Sequence, residues 1–197
     1  MFSINQLLTH FNPQTGEVSG LSPRERLLES LRGLFLDKLA FEQSLQKGNP
    51  LVYSVTSVEP AEGNGQLHYG IGKLMPGKIG HEYFFTAGHF HAYRPAAEFY
   101  IGLSGEGLML LEDEYTGNTQ VLSLHPNSVV YVPGHTAHRT VNCGKRSLTY
   151  IGVYPSQAGH DYSVIAERNF NKVVLEIDGK PVVWDRQSAR ESLKLER

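Results

Sequence analysis

The stretch Gly88-His89-Phe90-His91 sets two imidazoles two residues apart. On an extended chain such residues share a face, so His89 and His91 point together while Phe90 turns to the opposite side. Side by side they make half a metal site. Glu98 follows after six intervening residues, and if Ala92 to Ala97 turn and Glu98 opens the antiparallel neighbour, its carboxylate reaches the same point. His138, on a strand whose face it shares with Thr140 and Asn142, would close a set of three histidines and one carboxylate. Such ligands suit iron, zinc, manganese or nickel and leave coordination positions open for water or substrate. A His-x-His pair also arises by chance on a solvated strand among nine histidines. The later Glu98 and His138 are what favour the ligand reading.

Other residues gather around this set. Tyr100, two after Glu98, shares its face. Tyr150, Gly152 and Tyr154 alternate with Ile151 and Val153, which gives one face of that strand hydroxyls and a gap, suited to a polar pocket inside a barrel. Ala158-Gly159-His160-Asp161-Tyr162 is a polar, aromatic loop after a strand, in which His160 is either a ligand contact or inert. His10, His68, His81 and His125 have no partner pattern and read as surface or internally satisfied polar residues. Cys143, five from His138, falls on the opposite face as a small core filler, and one cysteine can form neither an internal disulfide nor a thiolate cage. Gly102-Leu103-Ser104-Gly105-Glu106-Gly107 is glycine-rich like a phosphate loop, but no helix follows it, so it reads as a hairpin turn.

The elements that must position these groups are mostly strands. Ser22-Pro23-Arg24-Glu25 has the form of a helix start, with Leu27, Leu28, Leu31 and Leu34 following at helical spacing. A second short helix is expected from Leu39 to Gln46, stopped by Gly48-Asn49-Pro50. From Leu51 onward the texture changes to short β-branched and aromatic runs broken by turn residues. Strands are expected at Leu51–Val58, Gln66–Leu74, Glu98–Leu103, Leu108–Glu112, Gln120–Leu124, Ser128–Val132, Ala137–Cys143 and Ser147–Tyr154. A closing hairpin turns at Asp178-Gly179, and the polar end from Ser188 is frayed or helical. Connections too short for crossover helices make the sheets antiparallel, so the fold class is all-β, a jelly-roll β-barrel with short N-terminal helices. The division expected is one domain over 1–197, with a helical extension at 1–50, a barrel core at 51–185 and a tail at 186–197.

Composition narrows the function. With 197 residues, 40% hydrophobic and 19% charged, the chain can bury a proper core. Eighteen basic against 20 acidic residues leave a net charge of -2, without the basic footprint that nucleic-acid binding needs. No apolar run approaches membrane-spanning length, and the start lacks a basic segment followed by an apolar core, so no membrane partner and a cytoplasmic location are expected.

His89-x-His91, Glu98 and Gly105, then Pro133, His138 and Asn142, resemble the two motifs of the cupin superfamily. Six residues between His91 and Glu98 exceed the usual cupin spacing, and that longer loop is similar to one subfamily, the cupin-type phosphoglucose isomerases. Its extended signature resembles Pro76-Gly77, Gly80, Glu82, Thr86, Gly88-His89-x-His91, Glu98-x-Tyr100, Gly105, Pro133, His138 and Asn142 here, and Ile151 to Tyr162 is also close to it. Two positions depart: Gly72 stands where the family has a phosphate-contacting threonine, and Gly134 where it has a second proline.

The resemblance implies a metal-dependent isomerase interconverting glucose 6-phosphate and fructose 6-phosphate. It implies one divalent metal per subunit, Fe2+ first and Zn2+, Mn2+ or Ni2+ as alternatives, held by His89, His91, Glu98 and His138. Glu98 would be the base, with Tyr100 or His160 assisting at the oxygens. Tyr53, Thr86, Gly88, Tyr100, Tyr154, His160 and Tyr162 would bind the sugar phosphate, and the protein would be a homodimer. Two other functions remain open at this level: a cupin metal-dependent dioxygenase, and a non-catalytic sugar-phosphate-binding protein.

Overall fold

A computed structural model describes residues 6–194. Strand β1 (Arg24–Leu27) runs into a 3-10 turn at Leu28–Leu31, then helix α1 (Lys38–Lys47), β2 (Leu51–Val58) and β3 (Leu67–Leu74). A small hairpin, β4 (Lys78–Ile79) and β5 (Glu82–Tyr83), leads through an extended segment to β6 (Glu98–Ser104), β7 (Gly107–Asp113), β8 (Thr119–Leu124), β9 (Val129–Val132), β10 (Thr136–Asn142) and β11 (Leu148–Pro155). Helix α2 (Ser163–Arg168), the hairpin β12 (Lys172–Ile177) and β13 (Lys180–Asp185), and helix α3 (Arg186–Ser192) complete it.

The strands form three sheets, ordered β1-β2-β3-β11-β6-β9, β10-β7-β8 and β13-β12-β5-β4. All their pairings are antiparallel. The first two sheets face each other across one core to which β2, β3, β7 and β10 send Val52, Leu74, Met109, Leu110 and Val141. This is the expected jelly-roll barrel, and its eight central strands lie within a residue or so of the expected bounds. At the closing hairpin Asp178 and Gly179 both have positive φ, 51° and 73°, the backbone a two-residue primed turn requires.

Two expectations need correction. No helix starts at Ser22. Arg24–Leu27 is a strand that pairs with β2, Arg26 opposite Tyr53 and Arg24 opposite Val55. The free edge of β2 offers this segment a ladder of hydrogen bonds, and the apolar positions read as helical are met by a single 3-10 turn that buries Leu28 and Leu31. The helical part of the N-terminal extension is α1, where Asp37 caps the start by accepting from the Ala40 amide at 2.8 Å. The second correction concerns Glu98. It begins β6, between β11 and β9, whereas His89 bridges to His138 on β10 in the opposite sheet. The six residues between His91 and Glu98 thus cross from one sheet to the other instead of making a tight hairpin, and the carboxylate meets the imidazoles across the barrel interior.

Candidate active site and metal centre

The segment 89–91 follows Gly88, whose φ is +75°, and belongs to no regular strand. Two isolated bridges hold it, His89 with His138 on one side and Phe90 with Asp161 on the other. The exchange is reciprocal, since His138 donates its amide to the His89 carbonyl (3.1 Å) and Asp161 its amide to the Phe90 carbonyl (2.8 Å). Phe90 is buried in the core while the imidazoles face inward together, as the alternation predicts.

His89, His91, Glu98 and His138 offer ligand atoms that lie within 4.8 Å of one another. Glu98 Oε2 sits 3.1 Å from Nε2 of both His91 and His138. Nδ1 of His91 donates to the Ala96 carbonyl at 3.0 Å. A neutral imidazole has one N–H, so the Nε2 lone pair of His91 then faces a carboxylate oxygen, an arrangement that needs a cation between them. Nε2 of His89 and of His138 are buried without a hydrogen-bond partner, the latter near Glu98 but out of alignment. Three lone-pair nitrogens and one carboxylate converging in this way fit a divalent metal ion.

The electrostatics agree. Burial, followed by the neighbouring imidazoles of His138, His160 and His91, holds His89 well below the ordinary histidine range and keeps it neutral, as a ligand must be. Burial alone would raise Glu98, but without a metal the imidazoles of His138 and His91, when they carry a proton toward it, bring it down to about 2, the stabilisation a bound cation takes over. Its other oxygen has its own space. A Cβ at Gly152, the residue opposite Tyr100 in the β6–β11 register, would come within 2.5 Å of Glu98 Oε1.

His89, Glu98 and His138 line a cavity of 340 Å³ that Tyr53, Thr86, Gly88, Tyr100, Tyr154, His160 and Tyr162 also line, with His91 behind them against Glu98. Every sequence-derived site residue but His91 therefore lines one cavity, and His91 reaches it through Glu98. His160 stands over the histidines, its ring centroid 4.5 Å from that of His89, and stacks on Tyr162 at 6.0 Å. Thr86 Oγ1 already accepts the Thr140 amide at 3.0 Å, which leaves its O–H to donate elsewhere. The Tyr53 hydroxyl lies 3.5 Å from the Ala87 amide. Burial raises the Tyr100 hydroxyl well above its ordinary range, with the Glu98 charge adding to it, so it remains a proton donor. Burial likewise pushes Tyr154 up to about 12.

Four further residues support the site, three of them, Arg94, Arg139 and Asn169, not singled out from the sequence. Arg94, in the long crossing loop, donates to the His91 carbonyl, to Glu114 Oε1 (2.8 Å) and to Asp161 Oδ2 (2.5 Å). It thereby ties the histidine segment to the loop carrying His160 and Tyr162. Arg139, next to His138, is fully buried between the rings of Phe85 and Phe170, 4.3 and 4.5 Å from their centroids. Its guanidinium donates to Asn169 Oδ1 (2.9 Å) and to the Ala87 carbonyl (2.6 Å). That carbonyl and the Gly88 N–H belong to one trans peptide unit, so fixing the first aims the second the opposite way. Asn169 in turn donates to the Leu34 carbonyl at 2.8 Å. The fourth, Tyr150, is buried, and its ring occupies the space a side chain at Gly72 would need: a Cβ there would lie 2.6 Å from the Tyr150 hydroxyl oxygen and closer to two ring carbons.

Three of the remaining histidines are satisfied elsewhere. His68 is buried with Nε2 on the Ala61 carbonyl at 2.9 Å, while His81 and His125 bond through Nδ1 to the carbonyls of Glu176 and Pro126. Cys143 packs against the core, and burial pushes its thiol up to about 12.

A sequence model of the family described as glucose-6-phosphate isomerase (GPI) matches residues 25–191. A glucose-6-phosphate isomerase of Pyrococcus furiosus is 43% identical over 172 residues, covering 87% of this chain and 90% of its own. Its counterpart in Thermococcus kodakarensis is 44% identical with the same coverage. A putative glucose-6-phosphate isomerase 2 of Rhizobium meliloti is 36% identical over 167 residues, 84% of this chain and 83% of its own.

Proposed function

This chain belongs to the glucose-6-phosphate isomerase (GPI) family, and from that premise we propose that it interconverts D-glucose 6-phosphate and D-fructose 6-phosphate in the cavity at the cluster of His89, His91, Glu98 and His138. The observation that carries the reading is the division of labour in one carboxylate. Glu98 Oε2 lies among the imidazoles while Oε1 faces the gap at Gly152. One oxygen can hold a ligand position as the other handles a proton, which removes the conflict between those two roles.

The reaction moves one hydrogen between C2 and C1. Glu98 Oε1 takes the proton from the carbon next to the carbonyl and returns it to the adjacent carbon, with an enediol between. A carboxylate held at about 2 is ionised at neutral pH but weak as a base, so the carbon acid needs activation. A divalent ion, when bound, supplies it by polarising the substrate carbonyl. We propose Fe2+, with Zn2+, Mn2+ or Ni2+ as alternatives, on the strength of the all-nitrogen-and-oxygen donor set. Tyr100 donates to a developing oxyanion, and His160 assists at ring opening or at the sugar oxygens. Tyr53, Thr86, Tyr154 and the Gly88 amide receive the phosphate, and Tyr162 lines the mouth.

We also propose a homodimer and a cytoplasmic reaction. Val129 and Tyr131, 65% and 63% exposed on the edge strand β9 beside Phe99, support burial of that edge against a second copy. No described helix is long and apolar enough to cross a membrane.

The test strips the metal with a chelator and restores each ion separately, following glucose 6-phosphate formed from fructose 6-phosphate, first in water and then in D2O. Turnover is expected to vanish and return with metal, and product formed in D2O to carry deuterium on carbon. Product free of solvent deuterium would leave transfer without exchange or a direct hydride shift, and full turnover of metal-loaded Glu98→Gln would then remove Glu98 as the base. A metal-loaded protein without turnover, or one that consumes oxygen, would point to the binding-protein or dioxygenase alternatives.

A further inference from the structure

The phosphate donors named so far are all neutral: three hydroxyls and one amide. A sugar phosphate carries close to two negative charges at neutral pH, and neutral donors hold such a charge without offsetting it. Two cations line the same cavity. Arg24 and Arg26 reach it from β1, the edge strand that the helical reading of Ser22–Leu34 concealed. In a helix residues two apart point in nearly opposite directions, whereas on a strand they share a face. The register sets Arg26 opposite Tyr53 and Arg24 opposite Val55, both of which line the cavity too.

Neither arginine forms an ion pair among the described residues. Arg94 and Arg186, by contrast, are engaged by carboxylates. Among the described residues Glu98 is the one carboxylate lining the cavity, and it is committed to the imidazoles. Arg26 also borders a second hollow together with Tyr53, Gly88 and Tyr162, so it shares both hollows with two of the neutral donors. Burial raises the Tyr162 hydroxyl, and the charges of Arg26 and Arg24 oppose that rise, as expected if both face it.

We propose that Arg24 and Arg26 are phosphate-binding, specificity-determining residues that supply the positive charge the neutral cradle lacks and so favour phosphorylated over free sugars. The proposal rests on the isomerase reading for its substrate but not for its chemistry, since a paired fork of guanidinium donors recognises any phosphate monoester dianion. β1 then acts as a charged rim. It adds nothing to the reacting carbons and fixes the end of the molecule remote from them.

The experiment compares the metal-loaded wild type with Arg24→Met, Arg26→Met, the double variant, Arg26→Lys, and Glu25→Gln as a control on the other face of β1. KM and kcat for fructose 6-phosphate are read alongside binding of inorganic phosphate by calorimetry. Each single methionine variant is expected to raise KM by ~10–100-fold, the effect of losing a charge-assisted contact, with the change in KM and not in kcat. Phosphate binding should weaken in parallel, Arg26→Lys should recover part of it, and Glu25→Gln should match wild type. KM and phosphate binding within twofold of wild type in the double variant would overturn the proposal. If the wild type shows no turnover, the isomerase reading fails on its own, and calorimetry on the same variants still decides whether the two arginines bind phosphate.

Discussion

Replacing Gly152 by alanine tests how closely the Glu98 carboxylate is fixed. The added Cβ would lie 2.5 Å from Glu98 Oε1 and 3.4 Å from the Tyr100 ring. Only the first contact is impossible, and relieving it requires the oxygen to retreat by about 0.5–0.9 Å to reach ordinary van der Waals distance. The carboxylate is rigid, so Oε2 moves with Oε1, while metal–ligand distances tolerate only about 0.2 Å. A shift several times that tolerance is expected to weaken metal affinity by ~10–100-fold. A displacement approaching 1 Å at a reacting group is expected to cost ~100-fold in turnover of the metal-loaded enzyme. The backbone should not object, since Gly152 is not in the left-handed region and alanine restricts the unfolded chain, worth about 0.4–1 kcal/mol in its favour. The informative result is therefore a split: melting temperature of the metal-free protein nearly unchanged, metal affinity and kcat both reduced. The assay is a metal titration by calorimetry, thermal melts with chelator present, and turnover at saturating metal. Wild-type affinity and kcat in Gly152→Ala would refute the idea that this gap positions the carboxylate.

Arg94→Met removes the tie between the histidine segment and the 158–162 loop; kcat/KM is expected to fall ~10-fold or more, with faster hydrogen exchange confined to that loop, and unchanged exchange there would contradict the role. Arg139→Met strands the Ala87 carbonyl and frees the Gly88 peptide. Losing hydrogen bonds from a charged donor of this kind costs ~1.5–3 kcal/mol, a melting temperature roughly 3–12 °C lower for a chain of this size, and weaker phosphate binding should accompany it. For Cys143, a folded-state value of about 12 against an ordinary 9.0 means the thiolate fraction rises only far above physiological pH. Labelling by a disulfide reagent at pH 8 is expected to be roughly a thousandfold slower in the folded than in the denatured protein, and comparable rates would show the thiol to be open.

The metal quartet was legible because it depends on local alternation and on residue types with few other uses: two histidines two apart fix their own relative direction wherever the strand goes. The barrel was legible for the same reason, since β9 alternates exposed and buried residues strictly, Val129 to Val132. Arg24 and Arg26 were hidden because Ser-Pro-Arg-Glu is also a good helix start, and what decides otherwise is the vacant edge of β2, a partner farther along the chain. Arg94 and Arg139 were hidden because their roles lie in contacts with Asp161 and Ala87, 67 and 52 residues away. An arginine has no periodicity that announces such a partner. Helix α2 and the small β4–β5 hairpin went unread because neither is long enough to carry a pattern.

The occupation of the space at Gly72 by the ring of Tyr150 makes the two positions a single heritable choice. A side chain at 72 beside Tyr150 overfills a packed interior, at a cost of ~1–3 kcal/mol. Shrinking Tyr150 first leaves a cavity, at a cost of ~3–5 kcal/mol for an aromatic truncated to alanine. Either order of substitution passes through an intermediate less stable than both ends. The two positions are therefore coupled: a side chain at 72 is expected to be tolerated best together with a smaller residue at 150, and a directed-evolution library that varies both at once reaches combinations that varying either alone disfavours.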